Sequence, residues 1–145
     1  MLFRSSYPKR RGMTRVPEQL AHGLTVAFGH DCVMDPWYSL GSGDMLEVAA
    51  MGLHVGQMTS QTAMRQCFEA VTTAPARLMH LDGYGLEVGC HADFVLLQAR
   101  DPIVAIRLRA TRLKVFRRGQ LIAENPAATA TLHLPDRPIS TAWQN

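Results

Sequence analysis

Leu24–Gly29, the run L-T-V-A-F-G, restricts this chain more than any other stretch. It is short, apolar and bounded by Gly23 and Gly29. Six such residues are too few for a stable helix and too uniformly apolar for a strand with one wet face. They suit a strand covered on both faces, as in a parallel sheet. Upstream, Thr14 is placed to cap a short helix with Val16, Leu20 and Ala21 on one face and Gly23 as its stop. Pro17 falls in its first turn, where a missing N–H does little harm. A helix leading into a doubly buried strand is the repeating unit of an α/β fold.

Beyond that strand the sequence is punctuated. His30–Gly43 is a loop, with Asp35-Pro36 and Gly41-Ser42-Gly43 as turn signals. Asp44 and Glu47 form a capping-box pattern before Met45, Val48, Ala49, Met51 and Leu53. That helix is apolar over most of its surface and is expected to be buried. Thr59 or Ser60 caps a further helix, with Met64, Cys67, Phe68 and Val71 at helical spacing. Thr73-Ala74-Pro75 starts a short one ending at Leu78 or Met79. From Leu81 the pattern changes. Gly83, Gly85 and Gly89 break the chain, Ala92–Gln98 reads as a strand, and Arg112–Ala123 reads as a hairpin around Arg118-Gly119. Ala130–Leu134 suits one more strand. The expected organisation is an α/β part over residues 1–80 and a small β-rich, sandwich-like domain over residues 81–145.

Composition excludes several classes. With 47% hydrophobic and 19% charged residues the chain is globular rather than disordered. A net charge of +3 without a focused basic patch argues against nucleic acid as a partner. Lys9-Arg10-Arg11 reads as a solvated loop. No apolar run approaches the roughly 18–20 residues of a membrane span. Cys32, Cys67 and Cys90 form neither a C-x-x-C motif nor a disulfide framework, so a reducing cytoplasm is expected. Met1–Arg15 is basic and lacks acids, as transit peptides do, but Pro8 and Gly12 favour an exposed polar loop. The eight methionines read as core filler, and His54 and His80 as packing or surface histidines.

Chemistry concentrates just past Gly29. In α/β barrels, polar residues beyond the C-terminal ends of strands build the active site, and Gly29-His30-Asp31 occupies that position. A carboxylate there can ligate a metal or take a proton from water. It can equally cap its own backbone in an Asx turn. His30 beside it is placed to orient the loop.

Val26–Asp31 with Asp35-Pro36-Trp37-Tyr38 and Leu40-Gly41 resembles the last-strand segment of bacterial cytosine deaminases. Met51-Gly52-Leu53-His54-Val55 and Tyr7–Gly12 are similar to further segments of that family. Gly89–Leu97 (G-C-H-A-D-F-V-L-L) and the Val115–Ile122 hairpin resemble the barrel-to-β-domain segment and the ending common to amidohydrolases. The likeness covers nearly the whole chain in order. It implies the C-terminal part of a metal-dependent (β/α)8 barrel with a following β domain, and hydrolytic deamination of a nucleobase, a C–N bond cleavage in a cyclic amidine. It implies a divalent metal, Fe or Zn, in the complete enzyme and a small pyrimidine base as substrate. It assigns Asp31 as metal ligand and acid/base group, and Trp37 as a neighbour of the substrate ring. Trp37 also suits a hydrophobic loop anchor.

One position departs from the family pattern. Cytosine-specific members carry two adjacent aspartates after the histidine, and here the second is Cys32. A carboxylate disfavours an apolar group beside it, whereas cysteine behaves as a small hydrophobe. Cys32 therefore either contacts a substrate with an apolar 5-substituent, such as 5-methylcytosine, or packs beneath the loop.

The chain contains no His-x-His pair, and it lacks the H-x-E and P-C-x-x-C signature of the other zinc deaminases. A metal needs about three protein ligands, and a full barrel about 250 residues. The chain alone is therefore expected to be inactive and to hold no metal stably. Three readings follow: a fragment of a deaminase, a split subunit completed by another barrel chain, or a non-catalytic small domain. Exposed apolar surface and self-association are expected of the isolated chain.

Overall fold

The computed structural model describes residues 12–36 and 39–137. Trp37, Tyr38 and Tyr7–Arg11 lie outside the described residues. Helix α1 spans Val16–Ala21 and ends at Gly23, whose φ of 75° only glycine adopts freely. Its cap residue is Arg15 rather than Thr14, and Arg15 pairs with Glu18 at 2.7 Å.

Leu24–His30 form no strand ladder among the described residues. Leu24 donates its N–H back to the Gln19 carbonyl of α1 at 3.1 Å, and the Phe28 N–H donates to the Ala70 carbonyl at 2.8 Å. This corrects the expected barrel strand. Strand geometry persists only when a neighbouring backbone takes up its N–H and C=O groups, and the strands this chain forms pair among themselves.

Helix α2, Met45–Val55, starts at Asp44, whose side chain accepts the Leu46 N–H. Helix α3, Gln61–Glu69, starts at Ser60, which accepts the Ala63 N–H at 3.1 Å. Helix α4 spans Thr73–Leu78. A fifth helix, Pro102–Leu108, was not expected from the sequence; we label it α5. Its Asp101 cap accepts the Val104 N–H at 2.8 Å and Pro102 opens its first turn.

The core joins α2, α3 and α5. Leu46, Ala49, Ala50 and Leu53 of α2 meet Cys67 of α3, Ala105 and Ile106 of α5, and Met58 and Ala110. The many alanines let the helices approach closely. The Cys67 thiol lies 3.7 Å from the Met58 sulfur. Helix α2 buries one face only, leaving Met51 and Val55 59% and 41% exposed. The expected burial of this helix is met on that one face, where α3 and α5 pack, and not on the rest.

Strands β1 (Phe94–Leu97), β2 (Arg112–Arg117) and β3 (Gln120–Glu124) form an antiparallel sheet in the order β1-β2-β3. Arg118 and Gly119 both take positive φ, 50° and 78°, as a two-residue hairpin turn matching strand twist requires. Phe94 and Phe116 are cross-strand partners and stack at 4.6 Å. The Asp93 carboxylate accepts the Arg118 N–H at 2.5 Å and pairs with Arg117 at 2.9 Å, fixing the turn against β1. Ala130–Leu134 is no strand; Thr131 makes a lone bridge. Helices with a small sheet give an α/β chain, and no described helix is long and apolar enough to cross a membrane.

Candidate functional site

Phe28 sets the approach to the loop. Its amide is tied to Ala70, and its ring packs against α2 at Gly52. A Cβ on Gly52 would sit 2.5 Å from that ring, so only glycine lets the segment lie this close. Two residues later, His30 turns the chain. Its Nδ1 lies 3.0 Å from the Cys32 carbonyl. A carbonyl can only accept, so Nδ1 carries the hydrogen of this contact. Its Nε2 is enclosed and has no hydrogen-bond partner among the described residues.

Asp31 sits between them with φ of 64°. Aspartate tolerates this left-handed conformation better than most residues, and the twist leaves its carboxylate exposed. Cys32 is half-buried, and its thiol is pushed up to about 11. The main cause is its hydrogen bond to the Asp35 carboxylate, followed by burial and the nearby charges of Asp31 and Asp35. Near neutral pH it is a protonated thiol, too weakly acidic to act as a nucleophile or thiolate ligand. The loop closes through the Met34 N–H to the Leu40 carbonyl at 2.9 Å, then through Gly41 and Gly43, both at positive φ, into Asp44.

His30, Asp31, Cys32 and Asp35 thus share one short loop. Trp37 lies outside the described residues. No group of three or more His, Cys, Asp or Glu side chains converges to hold a metal among the described residues. The donors that this loop presents, one exposed carboxylate and one imidazole, do not make up a metal centre.

Sequence reasoning missed the anchor at the far end of the loop. Asp44 was expected only as a helix cap, yet Arg112 of β2 grips its carboxylate with both terminal nitrogens. Burial pushes the Asp44 carboxyl up, but the Arg112 guanidinium and the Leu46 amide outweigh it and hold it below its ordinary range. No local pattern joins residues 68 positions apart. Gly52 carried one clue, a glycine inside a helix, which signals a close approach.

The profile of the amidohydrolase family matches residues 2–123. The crystal structure of 5-methylcytosine deaminase from Klebsiella pneumoniae, liganded with 5-fluorocytosine, superposes with a TM-score of 0.81 at 36% identity, over 89% of this chain and 32% of that one. N-isopropylammelide isopropyl amidohydrolase of Pseudomonas sp. (strain ADP) is 29% identical over 77% of this chain and 28% of its own length. Pterin deaminase of Rhizobium rhizogenes is 32% identical over 79% of this chain and 26% of its own. The chain therefore spans less than a third of the length of each of these relatives.

Proposed function

The chain belongs to the amidohydrolase family, and from that membership we propose that it is the C-terminal part of a hydrolytic nucleobase deaminase acting on cytosine or 5-methylcytosine. The reaction adds water at the amino-bearing ring carbon and releases ammonia, giving uracil or thymine. One observation carries the reading: a deaminase of this class is 36% identical and superposes with a TM-score of 0.81 over 89% of this chain. In this reading Asp31 is a metal ligand of the complete enzyme and takes the proton of the attacking water. His30 holds the loop behind it, and Trp37 lies beside the substrate ring. The metal is Fe or Zn, with its other ligands outside the described residues. Residues 1–80 belong to the barrel and residues 81–145 to the β-rich domain, and the protein works in the cytoplasm.

Cys32 sharpens the substrate. A neutral thiol accepts a methyl group at the ring 5-position where a second carboxylate would have to be desolvated. A buried methyl is worth about 10–200-fold in discrimination, so 5-methylcytosine is the favoured substrate.

A second reading is a split enzyme, in which this chain completes a barrel with another polypeptide. The exposed Met51 and Val55 of α2, and Leu78, Met79 and Leu81 at and beyond the end of α4, favour it, because water-facing apolar side chains invite cover. One experiment serves both. The chain is co-produced with an N-terminal barrel segment from a deaminase relative carrying the His-x-His pair, and ammonia release is followed. Cytosine or 5-methylcytosine should be turned over, the methylated base with the higher kcat/KM. Asp31→Asn should lower kcat by about 10²-fold or more. No release from either base, or full activity in Asp31→Asn, sinks the reading. A preference for plain cytosine sinks the role of Cys32.

A further inference from the structure

The loop that carries Asp31 and Cys32 has two ends. The first is held locally, by Phe28 on Ala70 and His30 on Cys32. The second is Asp44, and it is held from a distant part of the chain. Arg112 donates from Nη1 to Asp44 Oδ2 at 2.9 Å and from Nη2 to Oδ1. Such a fork fixes orientation as well as distance, which a lysine's point charge does not. Both side chains are largely withdrawn from water, at 32% and 22% exposed.

Asp44 needs no arginine to cap α2. Its own Oδ1 already accepts the Leu46 N–H at 2.7 Å. Its backbone N–H donates to the Ser42 hydroxyl at 3.1 Å, which donates to Glu47 at 2.5 Å. What Arg112 adds is a tie to the sheet. Arg112 opens β2 opposite Leu97 of β1, and the Asn125 side-chain amide donates to its carbonyl at 2.9 Å. The guanidinium thus projects from a backbone fixed on both sides. Asp31, Met34, Gly41 and Gly43 all hold positive φ. A loop with this many unusual backbone conformations keeps its shape only if both ends are fixed.

We propose that Arg112 is a positioning residue for the Asp31 loop: its two-point hold on Asp44 couples the three-stranded sheet to the loop's closing end and sets where Asp31 and Cys32 sit. This rests on the reading of that loop as the substrate-facing one, but the hold itself can be tested without any reaction.

The chain carries its own reporters. Cys32 lies in the loop and is half-buried, Cys67 is sealed in the core, and Cys90 lies in the glycine-punctuated stretch before β1. The 145-residue chain is alkylated with iodoacetamide at fixed alkaline pH, and labelling is resolved by peptide mass spectrometry. Arg112→Leu should raise the Cys32 rate about two- to fivefold, the range of a partly screened ion pair, with Cys67 still protected and Cys90 unchanged. Arg112→Lys should restore only part of the protection. Asp44→Asn keeps the cap, since asparagine caps as well as aspartate, and should reproduce the Arg112→Leu effect if that variant fails to fold. Two results overturn the proposal. One is a Cys32 rate unchanged in Asp44→Asn. The other is Cys67 labelling that rises in step with Cys32, which would make the pair a general stabiliser. A reconstituted enzyme without deaminase activity would sink the functional reading and leave this outcome as it stands.

Discussion

Replacing Gly52 by alanine sets two opposed effects against each other, and their sizes decide the sign. Gly52 lies inside α2, with three residues of the helix after it. Glycine in a helix interior costs about 1 kcal/mol relative to alanine. On propensity alone the substitution would therefore stabilise the chain by about that much. The Phe28 ring opposes it, because the new Cβ would meet ring carbons at 2.5, 3.0 and 3.0 Å. Contact below about 3 Å forces the ring aside, and overpacking of this kind costs about 1–3 kcal/mol. Phe28 is only half-buried, so the ring has room to swing outward and the cost belongs in the middle of that range. The expected net loss is about 1 kcal/mol.

A double-mutant cycle makes the reasoning testable. Urea unfolding is measured for the native chain, Gly52→Ala, Phe28→Leu and the pair. In the Phe28→Leu background the clash is relieved, and Gly52→Ala should become stabilising. The coupling between the positions should be about 1–3 kcal/mol. Stabilisation by Gly52→Ala in the native background, with no coupling to Phe28, would refute the close approach. It would also remove the support that places the Asp31 loop over α2.

Two further predictions follow from the charges. Asp44, Asp93 and Asp101 are all held below their ordinary value of 3.8, so their stabilisation is present above that value and is lost as the pH falls through their folded values. Urea midpoints should therefore decline as the pH drops below about 5, and less steeply in Asp44→Asn; a pH-independent midpoint would contradict the Asp44 pairing. The Cys32 thiol, pushed up to about 11 mainly by Asp35, should alkylate with a rate that climbs through pH 9 and 10, and Asp35→Asn should shift that profile to lower pH. An unshifted profile would show that Asp35 does not hold the thiol.

What the sequence made legible is what a few neighbouring residues decide. Asp44 and Ser60 cap helices because each needs only the amide two or three residues on. Arg118-Gly119 makes a hairpin turn because both residues tolerate positive φ. Helix α5 escaped despite its Asp101-Pro102 start. Ile103, Val104 and Ile106 are β-branched and suit a strand, and only packing of Ala105 and Ile106 on α2 and α3 decides for the helix. Arg112 on Asp44 left no local trace at all.

Leu24–Gly29 belongs to neither group. Its composition predicts cover on both faces, and the structure gives it backbone bonds to Gln19 and Ala70 and the flank of α2. The same discrepancy recurs on α2, which is apolar over most of its surface and whose Met51 and Val55 face water. Two independent segments therefore carry apolar surface that the described residues do not cover, and they adjoin each other at Phe28 and Gly52. Sequence that specifies more contact than the described residues supply is what a chain spanning less than a third of its relatives' length would carry.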